Sequence, residues 1–263
     1  MDVGLKGKKA LITGGGSGIG KAIALELAKE GVHIAVASRN PDPKAIDEIS
    51  SYGVKVLRIV ADVSKEEDVV RMVNEAIEGL EGLDLYINNA AAHWDEAVTK
   101  ITTEGWLNSM NTNLSACIWA CREVAKYFIN QRHGSILIVG SIAMYTAHPT
   151  ETSYRVSKAG LKPFMELLAV ELAPFGIRAN LLAPGFFPTK VSANVMKRQE
   201  AILATIPLRR AGDLDQDIGP AAVFLLSDKL SAFTTGSELI VDGGTHVYRY
   251  PIYSDKEVRE LNL

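Results

Sequence analysis

The chain has 263 residues, of which 28 are Lys or Arg and 31 are Asp or Glu, for a net charge of −3; 47% are hydrophobic. That is enough apolar material for a large α/β core, and it argues against disorder. It offers no basic surface for nucleic acid or an anionic membrane, and no apolar run approaches the ~20 residues of a membrane span.

In chain order, short apolar, β-branched runs alternate with helical patterns. KKALIT (8–13) reads as a strand, and GIGKAIALELAKEG as a helix with Ile19, Ile23 and Leu27 on one face and Gly31 as its stop. VHIAVAS (32–38) is a second strand, followed by a short helix in DPKAIDEISSYG; VKVLRIVAD is a third. The helix SKEEDVVRMVNEAIEG is expected to start on Ser64 as N-cap, with Glu67 completing a capping box. LDLYINNA is the fourth strand, and a long helical region runs from about Thr103 to Gln131. The two cysteines, Cys117 and Cys121, fall on that helix and read as buried residues rather than a metal or disulfide set. GSILIVGS is a strand, TSYRVSKAGLKPFMELLAVELAPFG a helix, IRANLLAPG a strand, QDIGPAAVFLLSD a helix and SELIVDGG the last strand.

This alternation predicts a single-domain α/β Rossmann fold over residues 1–245, a doubly wound parallel sheet of about seven strands with helices on both faces. Ligands of such sheets bind at the carboxyl ends of the strands. The opening residues hold no signal-peptide core, so the expected location is cytoplasmic.

TGGGSGIG (13–20) joins the first strand to the first helix. Gly14 permits the tight turn, Gly18 a close approach of backbone to pyrophosphate, and Gly20 close helix–strand packing. Gly16, Ser17 and Ile19 complete the turn, whose free N–H groups face an anion. The context of strand, turn and helix points to dinucleotide binding. Later, SYRVSK sets Tyr154 one helical turn before Lys158, on the same face. Such a pair is meaningless alone; near a nucleotide, an ammonium that lowers a phenol's pKa makes it a proton donor near neutral pH.

Together TGGGSGIG, NNAA (88–91), SYRVSK, APG (183–185) and VDGG (241–244) resemble the short-chain dehydrogenases/reductases, in order and spacing, over about residues 5–245. The resemblance implies roles. Tyr154 is the general acid/base, and Lys158 lowers its pKa and holds the nicotinamide ribose. Ser141 holds the substrate oxygen. Asn113 kinks the long helix and anchors a water of the proton relay, with Asn111 as the competing register. The family's Asn-Asn-Ala-Gly is NNAA here, so Asn89, Ala90 and Ala91 line the adenine ribose with an alanine in a glycine's place. Asp62 and Val63 lie beside the adenine. Pro184, Gly185, Phe187 and Thr189 clasp the nicotinamide.

No acid lies between His33 and Pro41, where an NAD-selecting carboxylate would grip the ribose. Ser38, Arg39 and Asn40 stand there instead, and Arg39 can pair with a 2′-phosphate. NADP(H) is therefore favoured, with NAD(H) as the alternative. His93, Trp94, Ser141, Met144, His148 and Phe186 are expected to line the substrate pocket, with residues 186–214 as a lid. No metal set is present. The expected reaction is hydride transfer between the nicotinamide and an alcohol or carbonyl, guessed to be a small hydroxy-ketone, sugar or polyol. The alternatives are 3-oxoacyl-thioester reduction and nucleotide binding without turnover. Acyl-carrier-protein reductases of the family carry a basic residue where this chain has Phe175, which lowers the thioester reading. The family suggests a homotetramer or homodimer, and the aromatic tail, 246–263, is expected at a subunit interface.

Overall fold

The computed structural model describes residues 2–94, 96–189 and 199–248. Seven parallel strands form one sheet: β1 (Lys9–Thr13), β2 (His33–Ser38), β3 (Val56–Val60), β4 (Leu85–Asn88), β5 (Gly134–Val139), β6 (Ile177–Pro184) and β7 (Glu238–Val241). Their order is β3-β2-β1-β4-β5-β6-β7, so the chain reverses direction between β1 and β4. Loops leaving strands on either side of that reversal diverge and leave a crevice at the carboxyl edge. Pairings Thr13↔Ala37, Ile12↔Ile87, Asn88↔Ile138 and Val139↔Leu182 bring the strand ends to that edge.

Both sheet faces are apolar because both are covered. On one lie α3 (Glu66–Leu80), α5 (Ala116–Gln131) and α7 (Leu161–Leu172), with Met72, Phe128, Met165 and both cysteines in the core. The other is covered by α1 (Gly18–Lys29), α2 (Pro43–Ser50) and α9 (Gly219–Leu226), with Ile23, Leu27, Ile49 and Leu226 buried. No helix of the described residues is long and apolar enough to cross a membrane.

Two local expectations are corrected. α3 starts at Glu66, not Ser64, with Lys65 at the N-cap and no side-chain cap bond. Asp62 takes both Ser64 N–H, at 3.1 Å, and Ser64 Oγ, at 2.8 Å, so the serine belongs to the preceding turn. The helix expected from Thr152 divides at Gly160 into α6 (Thr152–Ala159) and α7. A Cβ at Gly160 would lie 2.9 Å from Leu114, so the break is also a close helix crossing. The long helix before β5 is α4 (Thr103–Met110), a π-helical turn at Asn111–Ser115, and α5.

Candidate active site

The nucleotide cradle is made of backbone. Gly14 and Gly18 have φ of 69° and 51°, in the left-handed region where side chains are strained. A Cβ on Gly14 would stand 2.8 Å from Asn89 Nδ2, and one on Gly20 would overlap the Gly14 carbonyl. Asn89 clamps the loop, donating from Nδ2 to the carbonyls of Thr13, at 3.0 Å, and Gly14, at 3.2 Å. Thr13 Oγ1 accepts from the N–H groups of Asn89, at 2.9 Å, and Ala90, at 3.1 Å. Thr13 was missed in the sequence; its signal is a hydroxyl at a strand end next to the glycine turn. At Ser17 no side chain caps α1, leaving its first N–H groups to a ligand. Thr189, beyond β6, rests over Gly18. The chain has closed its backbone where side chains would fill the space, as a pyrophosphate cradle requires.

Around it, Ser38 ends β2, and Arg39 and Asn40 are exposed beyond it. Arg39 makes no ion pair among the described residues. Asp62 and Val63 follow β3, Asp62 Oδ1 being engaged with Ser64. Ala91 is exposed with an ordinary φ, so the alanine is accommodated. Gly185 follows β6 with Asp242 directly behind it, where a Cβ would collide.

At the ends of β5 and α6, four predicted side chains converge. Tyr154 is half-buried and close enough to Ser141 for the serine to pull the phenol's pKa down. Ser141 Oγ accepts the Ala143 N–H at 3.1 Å. Asn113 is fully buried in the π-turn. Its Oδ1 accepts from Ala92 N–H at 2.7 Å, and its Nδ2 donates to Ala92 O at 2.9 Å and Ser157 Oγ at 3.0 Å. It therefore fixes the loop after β4 to α6, whereas Asn111 is only half-buried.

Lys158 Nζ is buried and donates to the Val139 carbonyl at 2.9 Å, at the end of β5. Burial pushes the lysine down to about 8. Burial pushes the phenol up, and among its surroundings Ser141 and Arg155 pull it back while Glu151 pushes it further. The two residues share a face of α6, Lys158 being the more buried.

The expected pocket residues separate. His93 lies against Tyr154, ring centroids 4.6 Å apart. Met144 packs on the core, and Trp94 sits against Gly105 at the start of α4. His148 is exposed, its Nδ1 2.8 Å from the Pro149 carbonyl. Phe186 lines a cleft of about 490 Å³ with Ile206, Leu208 and Asp242, whereas the Phe187 side chain is buried on Gly212. Of the expected lid, residues 190–198 lie outside the described residues, as do residues 249–263 of the tail. Among the described residues no group of His, Cys, Asp and Glu is arranged to hold a metal.

A doubly wound sheet with a glycine cradle and a tyrosine–serine pair across one edge defines a dinucleotide-binding enzyme. Comparison with known proteins narrows the class. A family model described as enoyl-(acyl carrier protein) reductase matches residues 14–246. A 3-oxoacyl-[acyl-carrier-protein] reductase of Staphylococcus epidermidis is 34% identical over 246 residues, covering 91% of this chain and 99% of that protein. A structure described as a short-chain alcohol dehydrogenase from Sinorhizobium meliloti superposes with a TM-score of 0.90 at 32% identity, covering 95% of this chain and 100% of that one. Another, described as a 2-deoxy-D-gluconate 3-dehydrogenase from Agrobacterium tumefaciens with bound NADP, gives 0.87 at 30% identity, covering 94% and 99%. The chain belongs to the short-chain dehydrogenase/reductase family. It is a nicotinamide-dependent oxidoreductase acting between alcohol and carbonyl groups.

Proposed function

We propose that this chain transfers hydride between NADP(H) and a small polar alcohol or ketone, with Tyr154 as general acid/base and Ser141 holding the substrate oxygen. The observation that carries this reading is the placement of Ser141, just beyond β5, beside Tyr154 on α6 at the carboxyl edge, where the serine pulls the phenol's pKa down. The cofactor, when bound, supplies the hydride. Gly14, Gly18, Ile19 and the start of α1 would hold its phosphates, Asp62 and Val63 its adenine, and Gly185 and Thr189 its nicotinamide end. In the oxidation direction the alcohol proton passes to Tyr154; in reduction Tyr154 returns it to the alkoxide oxygen. Lys158, charged below about pH 8, places a buried cation beneath that site. Asn113 holds the loop after β4 in place through Ala92.

Arg39 favours the 2′-phosphate of NADP(H), and the NADP-bound relative supports the choice; NAD(H) is the second option. The sugar-acid relative supports a hydroxylated substrate. The curated relatives favour a second reading, reduction of a 3-oxoacyl thioester. Position 175 departs from the expected cation, yet the Arg132 guanidinium stacks 5.7 Å above the Phe175 ring, which returns positive charge to that surface. The protein works as a cytoplasmic homotetramer in this reading. Leu107, Ile118, Val156, Leu167 and Val170, exposed on α4 to α7, are apolar surface for a second copy.

An initial-rate screen tests these readings: alcohols, polyols and sugar acids with NADP⁺ or NAD⁺, and carbonyls and acetoacetyl thioester with NADPH or NADH. Turnover of a polyol with NADP⁺ supports the first reading. Turnover confined to the thioester replaces it with the second.

A further inference from the structure

Side chains outside the predicted set surround Tyr154. Arg155, the next residue, turns its guanidinium inward. Its Nη1 donates to Thr146 Oγ1 at 2.8 Å, to the Thr146 carbonyl, and to the Ala143 carbonyl at 3.3 Å. All three acceptors lie in the loop that begins at Ser141. Nη2 meets the Glu151 carboxylate at 2.6 Å.

Glu151 in turn faces two imidazoles, with His148 Nδ1 at 3.5 Å and His93 Nε2 at 3.8 Å. Its backbone bridges Glu96, and the Glu96 N–H donates to the Thr150 carbonyl at 2.7 Å. Thr150 has a φ of 69°. A β-branched residue is strained there and persists only where its surroundings over-determine it. Three parts of the chain are thus tied together at the phenol: His93 and Glu96, the Ser141 loop, and α6.

The geometry points to Arg155 and Glu151 as positioning residues for the acid–base centre. The guanidinium fixes the Ser141 loop, and the carboxylate fixes the His93 loop, both against the helix that carries Tyr154. This inference rests on Tyr154 being the acid/base. Ser141 approaches the phenol from the start of that loop, and Arg155 is the charged group that pins the loop to α6. The charged or titratable side chains around the phenol are His93, His148, Glu151 and Arg155, with Lys158 beneath.

The test uses the full-length protein and the alcohol found to turn over in the screen. Arg155→Met, Arg155→Lys, Glu151→Gln and Tyr154→Phe are compared for kcat, KM and the pH dependence of kcat. Melting temperature and cofactor binding serve as fold controls. Displacing a reacting group by about 1 Å costs on the order of 100-fold in rate, so Arg155→Met should lower kcat roughly 10- to 100-fold with cofactor KM unchanged. Its oxidation limb should move to higher pH as Ser141 releases the phenol, and Arg155→Lys should recover part of the loss. Glu151→Gln keeps an acceptor for Arg155 but removes a charge facing the phenol, so its limb should move to lower pH with most of kcat retained.

Wild-type kcat in Arg155→Met overturns the inference. So does a loss equal at every pH with no recovery in Arg155→Lys, which is a merely structural role. If Arg155→Met does not fold, an unmoved limb in Glu151→Gln overturns it instead. Undiminished turnover in Tyr154→Phe would sink the acid–base reading itself; a dead Tyr154→Phe beside an unaffected Arg155→Met sinks only the clasp.

Discussion

The two halves of the site are built from different materials. The nucleotide half, from β1 to the end of β4, is a backbone device: two glycines at positive φ, a third with no room for a Cβ, and Asn89 bonding to carbonyls. The substrate half, around Ser141 and Tyr154, is a side-chain device. Asn113, Arg155 and Glu151 bridge segments distant in sequence, and the phenol's acidity is set by what they hold in place. A backbone device recognises what all dinucleotides share. A side-chain device can be changed one residue at a time, and the choice of substrate resides there.

The largest effect expected from breaking this division is at Tyr154. General acid/base groups contribute typically about 10²–10⁴-fold. Tyr154→Phe should lose turnover by about that factor while binding of reduced cofactor, followed by fluorescence, stays intact. Loss of cofactor binding in the same variant would show that the halves are not separable.

This contrast also explains what could be read from the chain. The glycines, the sheet and its order follow from short-range patterns, so TGGGSGIG and the strand alternation carried them. Asn113 was placed by a resemblance, and its buried bonds to Ala92 and Ser157 support that register over Asn111. The Tyr154–Lys158 spacing placed both on one helix but not the Val139 carbonyl, at the end of a strand, that accepts from the ammonium, because periodicity says nothing of tertiary partners. The role of Arg155 was invisible because its Nη1 donates to carbonyls of the Ser141 loop, and carbonyl positions leave no trace in a sequence; Glu151 faces His93 from a segment distant in sequence. Ser64 was misread because Asp62, two residues away, competes for it.

Next in size are changes that disturb packing. Asn113→Leu leaves the half-buried Ala92 N–H and carbonyl without their side-chain partner, at up to about 1–3 kcal/mol for each unsatisfied group, less where water reaches it. A drop in denaturant midpoint is expected, with a fall in kcat larger than the fall in cofactor affinity. Gly20→Ala should do the reverse. Its Cβ strikes the Gly14 carbonyl and Asn89, and overpacking costs about 1–3 kcal/mol, so titration should show weakened cofactor binding first. Equal effects of both variants on both properties would erase the contrast between the halves.

Lys158 gives a smaller effect with a definite sign. Burial depresses its folded pKa to about 8, below the unfolded value. Between there and about pH 10.4 the unfolded chain holds the extra proton, so stability rises with pH across that window. Lys158→Met removes the buried charge but leaves the Val139 carbonyl without its donor. The variant should therefore be more stable than the parent by about 1–2 kcal/mol near neutral pH. That advantage should shrink toward pH 10 in melting experiments without cofactor. A constant difference at all pH values would mean that the lysine is not charged against its burial.

The smallest expected effect is at Arg39, the side chain proposed to choose between the two cofactors. If the glycine turn holds the pyrophosphate that NADP⁺ and NAD⁺ share, removing Arg39 should leave KM for NAD⁺ unchanged. What would be lost is a charge-assisted bond to the 2′-phosphate, worth about 1.5–3 kcal/mol and reduced by the exposure of the site. Arg39→Ala should lower the NADP⁺ over NAD⁺ ratio of kcat/KM roughly tenfold, and Arg39→Asp should reverse it, since a carboxylate there repels the phosphate and can bond the ribose hydroxyls. An Arg39→Ala variant with an unchanged ratio would move the selection to another cation, and the nucleotide half would then choose nothing at the end of β2.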